Sequence, residues 1–224
     1  MRAHFREDGV LTVEDWLHAD FASSLHVHLT QLPDEAWSIL TFPSLDKASR
    51  TTTPLACGDR EPVETYKRHA NAAHARREFS FILNRLVEDH DAACSCANCT
   101  LRRNLALPEV AAFLRGVTGF EIASAKGVFT SWYDEGHFLS PHNDKTNGTL
   151  GFIYHLSKDW KREYGGILVL HDDNDIERIR ETFVPVFNCV TIFNLTTPAD
   201  HTHSVSRVVR RTPNKRLTVT GWWR

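Results

Sequence analysis

The chain has 224 residues, 42% of them apolar and 24% charged, with a formal net charge of -2, enough to bury a core and within the size of one domain. A near-neutral balance without a long basic run excludes the electrostatic footprint of a nucleic-acid binder, and no apolar run reaches the ~18 residues that a membrane span requires. The start, Met1 to Asp8, lacks the apolar core of a secretory signal, so a cytoplasmic location is expected.

Thr12-Val13-Glu14-Asp15 has the pattern of a capping box and predicts a helix running to about Leu29. Pro62 suits a first helical turn. It opens a long polar segment in which Phe79, Ile82, Leu83 and Leu86 recur at i, i+3, i+4 and i+7, the spacing of one helix face. Of the five cysteines, Cys94, Cys96 and Cys99 crowd together. In a reducing compartment such a cluster reads as a metal site or as reduced thiols in a polar loop, not as a disulfide framework. A structural zinc there would need a fourth ligand, for which His90 and Cys57 are the nearest candidates, and the C-x2-C spacing occurs once. A further helix is predicted from Pro108 to Val117. Residues 1–120 thus read as mostly helical support, and no Pro-, Gly- or Ser-rich linker separates them from the C-terminal half, so 1–224 is expected to be one domain.

From about Glu121 the pattern changes to short β-branched and aromatic runs: Val128 to Tyr133, Thr149 to His155, Ile167 to His171, Val190 to Phe193 and Leu217 to Trp223. Short strands with regular turn punctuation predict an antiparallel sandwich or barrel over 121–224. The expected fold is α+β or mainly β, helices packed on one side of a jelly-roll core.

Ser140-Pro141-His142-Asn143-Asp144 sets an imidazole and a carboxylate two positions apart, on one face if the stretch is a strand. His203, in His201-Thr202-His203-Ser204-Val205, offers a second imidazole from another strand. Two histidines and one carboxylate hold Fe(II) and leave three adjacent positions open for chemistry. His201 lies two residues from His203 on the same face and is an alternative ligand. Near the end, alternation in Arg216-Leu217-Thr218-Val219-Thr220 puts Arg216 and Thr218 on one face, inward if Leu217 and Val219 pack outward. An inward guanidinium needs an anionic partner and can fork onto a carboxylate, with a neighbouring hydroxyl adding a bond.

Taken together, these residues resemble the Fe(II) and 2-oxoglutarate-dependent dioxygenases, in particular the prolyl-hydroxylase-like branch. The likeness runs from Phe129 to Trp223 through Trp132 to Gly136, His142-Asn143-Asp144, Ile153 to Trp160, Gly165-Gly166-Ile167-Leu168, His203-Ser204-Val205 and Arg216-Leu217-Thr218. Any one of these is weak; their order makes the signal. The resemblance implies a double-stranded β-helix in which His142, Asp144 and His203 ligate iron and Arg216, helped by Thr218, pairs with the distal carboxylate of 2-oxoglutarate. Val205 favours His203 over His201. Tyr133 matches a tyrosine lining the co-substrate pocket. His155 stands where relatives often carry a tyrosine, and its contact would be pH-sensitive.

The implied activity is hydroxylation of an unactivated C–H bond in a prolyl or other amino-acid side chain, coupled to decarboxylation of 2-oxoglutarate to succinate, with ascorbate as a candidate reductant. The partners would be an amino-acid, peptide or protein substrate and O2. The intact Asp144 argues against the halogenating branch. Trp222 stands six residues after Arg216, where nucleic-acid repair relatives place a second arginine. A small-molecule hydroxylase and a non-enzymatic metal-binding jelly roll are the other readings. Tyr133 also has an ordinary role as a half-buried strand aromatic, and Trp222 and Trp223 read as core and rim packing in preference to a substrate cage.

Overall fold

Twelve strands pair into one antiparallel sheet in the computed structural model, which describes Phe5, 8–43, the backbone of 51–54, 61–87, 93–172, 175–196 and 202–224. The strands are β1 (Val10–Val13), β2 (Trp37–Phe42), β3 (Thr51–Pro54), β4 (Phe81–Leu86), β5 (Ala125–Tyr133), β6 (Phe138–His142), β7 (Leu150–His155), β8 (Leu168–His171), β9 (Ile179–Phe183), β10 (Cys189–Asn194), β11 (His203–Val205) and β12 (Arg216–Trp223). The helices among the described residues are α1 (Ala19–Gln31), α2 (Glu61–Ala75), α3 (Ala97–Asn104) and α4 (Pro108–Thr118). The strand order is β1-β10-β7-β12-β5-β4-β6-β11-β8-β9, with β2 also on β4 and β3 on β2. The sheet curls: the rings of Phe193 on β10 and His203 on β11, distant in that order, have centroids 4.8 Å apart. The fold is mainly β, the curled jelly roll expected.

The curl gives the sheet an inner face lining a cavity and an outer face carrying the main core. On β12, Leu217 and Val219 are fully buried in that core with Phe152 and Tyr154 of β7, Leu25 and Leu29 of α1, Leu101 of α3 and Leu114 of α4. Burying each such side chain is worth about 1.5–3 kcal/mol. Their neighbours Arg216, Thr218, Thr220 and Trp222 consequently line the cavity, because successive strand residues face opposite ways. α4 starts with Pro108 in its first turn and stops at Gly119, whose φ of 81° closes the last turn. Among the described residues no helix is long and apolar enough to cross a membrane.

One expected helix is corrected at its start, and a second, borne out from Pro62 as α2, is corrected in its far part. Thr12 belongs to β1, an edge strand whose residues pair with Val190 to Phe193 of β10. Asp15 then turns the chain at φ 48°, and α1 begins only at Ala19 with no side-chain cap. The backbone bonds to β10 outweigh a four-residue capping signature, and α1 is held by burial of Ala22, Leu25 and Leu29 along one stripe. The segment containing Ile82, Leu83 and Leu86 is strand β4, with Phe79 just before it. It pairs with β2, β5 and β6 along its edges, and both of its faces are buried, Ile82 against Ala70 of α2 and Phe81 and Leu83 towards the cavity. A strand apolar on both faces offers residues at any spacing, including the helical one. Residues 1–120 therefore contribute β1 to β4 to the sheet as well as the helices.

Candidate active site

β11 lies antiparallel beside β6, and the register sets His203 directly across from His142. Their ring centroids are 4.3 Å apart. Strand β6 ends at His142, so Asp144 reaches the same place through the turn after that strand, and not by strand alternation as expected from the sequence. Its Oδ2 is 3.7 Å from His203 Nε2 and its Oδ1 4.0 Å from His142 Nε2. One ligand atom from each of the three residues falls within 4.8 Å of the other two. The His142 Nδ1 lies 3.0 Å from the Ser140 carbonyl, to which it donates, which fixes the tautomer and leaves the Nε2 lone pair for a cation. Asn147 Nδ2 donates to Asp144 Oδ1 at 2.8 Å and orients the carboxylate. Nothing in the sequence motif signals that contact. The nitrogen and oxygen donor set suits a divalent first-row metal such as Fe(II).

A cavity of about 340 Å³ joins this cluster to Arg216. Arg216 is 1% exposed. Its Nε donates to the Gly166 carbonyl at 2.9 Å, its guanidinium lies 4.9 Å from the Tyr133 ring centroid, and its Nη2 is buried without a partner. Among the described residues no carboxylate forms an ion pair with it. Burial therefore lowers its pKa to about 10, with only Tyr133 opposing. A buried cation with an unpaired donor facing a cavity is the complement of a carboxylate ligand, so the site fits an anionic co-substrate as well as a metal. Thr218 Oγ1 lies 3.1 Å from Ser131 Oγ, and both line the cavity.

The Gly165-Gly166 turn presents that carbonyl to Arg216. Both glycines have positive φ, 71° and 65°. A Cβ at Gly165 would collide with the Arg207 carbonyl, and one at Gly166 would sit 3.1 Å from the Arg216 side chain.

Tyr133 lines the cavity, and burial raises its pKa against the influence of Arg216. His155 is fully buried on β7, across from Thr218 of β12, but is not among the side chains lining the cavity. Its Nε2 lies 3.3 Å from Thr191 Oγ1 and its Nδ1 has no partner. Burial and the Arg216 charge lower its pKa to about 3, so it stays neutral above that and the expected pH sensitivity is corrected. His201, the alternative ligand, lies outside the described residues, as do His90 and Cys57. Trp222, set down to packing in the sequence, lines the cavity instead, and the rest of the wall went unread. Phe79, Phe81, Leu83 and Arg85 come from β4 and the residues before it, which the helical spacing concealed; Phe129 and Trp222 add an aromatic side, their ring centroids 6.1 Å apart.

Residues 128–224 match the sequence profile of the 2OG-Fe(II) oxygenase superfamily. The chain is 27% identical over 125 residues to prolyl 3-hydroxylase OGFOD1 of Mus musculus, covering 54% of this chain and 22% of that protein, so it spans about a fifth of the relative's length. Among solved structures it is similar to a 2OG-Fe(II) oxygenase family oxidoreductase of Burkholderia pseudomallei, with a TM-score of 0.62, 14% identity, and coverage of 99% of this chain and 88% of the other. A prolyl hydroxylase of Trichoplax adhaerens, solved with a peptide fragment of the hypoxia inducible factor oxygen degradation domain, matches with a TM-score of 0.60 and 12% identity over 99% of this chain and 86% of the other. At these identities the two structures speak for the fold.

Proposed function

Residues 128–224 belong to the 2OG-Fe(II) oxygenase superfamily, and on that premise we propose that the protein is an Fe(II)- and 2-oxoglutarate-dependent dioxygenase that hydroxylates a prolyl or related amino-acid side chain. The observation that carries this reading is Arg216, a buried guanidinium with an unpaired Nη2, opening onto the same cavity as His142, Asp144 and His203. A module that only stored a metal would have no use for that cation, since its burial costs stability unless an anion arrives.

His142, Asp144 and His203 would hold the iron on one side, and Arg216 with Thr218 would hold the far carboxylate of 2-oxoglutarate. When bound, Fe(II) with 2-oxoglutarate and dioxygen supplies the oxidising power that side chains lack, one oxygen atom going to the substrate and the other to succinate. The protein's part is positioning. Asn147 holds the Asp144 carboxylate in place, the Ser140 carbonyl holds the His142 ring, and the Gly166 carbonyl sets the Arg216 fork. Tyr133 and the neutral His155 bring no competing charge to that end. Leu40, Phe81, Leu139 and Val205 keep the cavity apolar between the polar ends, which excludes water from the reacting bond.

The substrate would be a single side chain or a small amino-acid-like molecule, because about 340 Å³ is near the low end of the roughly 300–1,000 Å³ of ligand pockets and must also take the co-substrate. Peptide presentation is supported by the relatives, whose names include a prolyl 3-hydroxylase and a prolyl hydroxylase bound to a peptide. A reducing cytoplasm is the setting we assign, in keeping with free thiols at Cys94, Cys96, Cys99 and Cys189 among the described residues. The test is incubation with labelled dioxygen, Fe(II), 2-oxoglutarate and either a proteome digest or free amino acids. Label in peptidyl proline supports the proposal; label in a free amino acid alone moves the assignment to a small-molecule hydroxylase. Succinate formation with no label in either pool, across a broad panel, removes the amino-acid substrate class.

A further inference from the structure

Cys94, Cys96 and Cys99 take no part in the site described above, yet their Sγ atoms lie within 4.8 Å of one another. They sit at the start of α3, where Cys96 is the cap residue and its Sγ accepts from the Cys99 N–H at 3.4 Å. We propose that these three thiols form a second metal site, taking a thiophilic d10 cation, zinc, through sulfur alone.

Chemistry separates the two sites. Thiolates select zinc, whereas two imidazoles and a carboxylate suit iron. Three protein ligands leave a fourth position for water or an exogenous ligand. All three cysteines are half-buried and outside any disulfide, so an ion can reach them. The peptide N–H groups of a helix start offset the negative charge that thiolates bring, and Arg103 lies close by, its Nη1 donating to the Cys94 carbonyl at 2.7 Å. Burial and the adjacent sulfurs push the Cys99 thiol up to about 12. Zinc must displace the Cys99 proton to take that sulfur, so its binding is coupled to proton release.

The site's role is structural. Two residues into α3, Asn98 is buried and its Oδ1 accepts from Thr130 Oγ1 at 2.8 Å, and Leu101 lies in the main core. A metal on the three sulfurs would fix the turn at the start of α3 and so hold Asn98 in place against Thr130 of β5, whose inward neighbours Phe129 and Ser131 line the cavity.

The experiment is an anaerobic titration of the reduced, metal-free chain with Co(II). A sulfur-to-cobalt charge-transfer band in the near ultraviolet reports the cysteine site alone, because cobalt on the histidine and aspartate ligands gives only weak ligand-field bands. The band is expected to saturate by two cobalt per chain at the intensity of one thiolate-bound ion, to bleach with zinc and to vanish in the variant Cys96→Ser/Cys99→Ser, while zinc raises the melting temperature of the wild type. No such band in folded, reduced wild-type protein overturns the proposal, as does a band of equal intensity in the double variant. The wild-type arm decides even if the variant does not fold, and neither arm depends on the oxygenase reading.

Discussion

If Arg216 anchors the co-substrate as proposed, it is the residue on which stability and function pull in opposite directions. Its burial with an unpartnered Nη2 costs the ligand-free protein free energy that a bound dicarboxylate would return. Arg216→Met, close in volume and uncharged, should raise the melting temperature of the ligand-free protein while weakening 2-oxoglutarate binding by about 2–3 kcal/mol, roughly 30- to 150-fold. Thermal melts with and without 2-oxoglutarate check both signs at once; a variant that loses stability and keeps its affinity contradicts the assignment. This residue was legible because strand alternation fixes the face of Arg216 once Leu217 and Val219 are recognised as core. The Asp144 carboxylate was legible as a type but not as a geometry, since it arrives by a turn stapled by Asn147, and side-chain contacts within turns leave no periodic trace. His155, read as a co-substrate contact, lies off the cavity, and its charge state was not legible because burial, which sets it, comes from the strands packed around it.

At the scale of elements, strands β5, β7, β8, β10 and β12 were readable from their β-branched and aromatic runs, and α4 from its proline start. β4 was not. Covered on both faces, it lacks the alternation that marks a half-exposed strand, and it carries the aromatic wall of the cavity. The capping-box signature at Thr12 failed for a related reason: local propensity is weak beside a ladder of bonds to β10. The Gly165-Gly166 turn is where an element and the site meet. Gly165→Ala forces a Cβ onto the Arg207 carbonyl at φ 71°, a strain on the order of 1–3 kcal/mol. It should lower the melting temperature and, by moving the Gly166 carbonyl, weaken 2-oxoglutarate binding in the same protein. Calorimetric binding on the folded fraction tests this; unchanged affinity would mean that the turn does not set the guanidinium.

For the whole molecule, two buried histidines make the fold acid-sensitive. His137 and His155 are each held at about 3, against 6.5 ordinarily, first by burial and then by Lys67 and Arg207 for His137 and by Arg216 for His155. Between those values the unfolded chain binds protons that the folded one refuses. Stability is then fully present above pH 6.5 and is lost as pH falls towards 3, with a slope of about 1.4 kcal/mol per pH unit for each histidine. Urea unfolding of the metal-free protein between pH 7 and 5 should show a flatter dependence in His137→Gln/His155→Gln than in the wild type; coincident slopes would contradict it.

The same curled sheet that buries these histidines brings β6, β11 and β12 around one cavity, where we propose that iron and a keto diacid bind together. The direct measurement is anaerobic addition of Fe(II) and 2-oxoglutarate to the folded protein while recording the visible spectrum. The weak charge-transfer band of an iron–keto-acid chelate is expected, saturating at one equivalent of each and absent in Asp144→Ala. A folded wild-type protein that develops no band, or an Asp144→Ala variant that develops the full one, would contradict joint binding at this site.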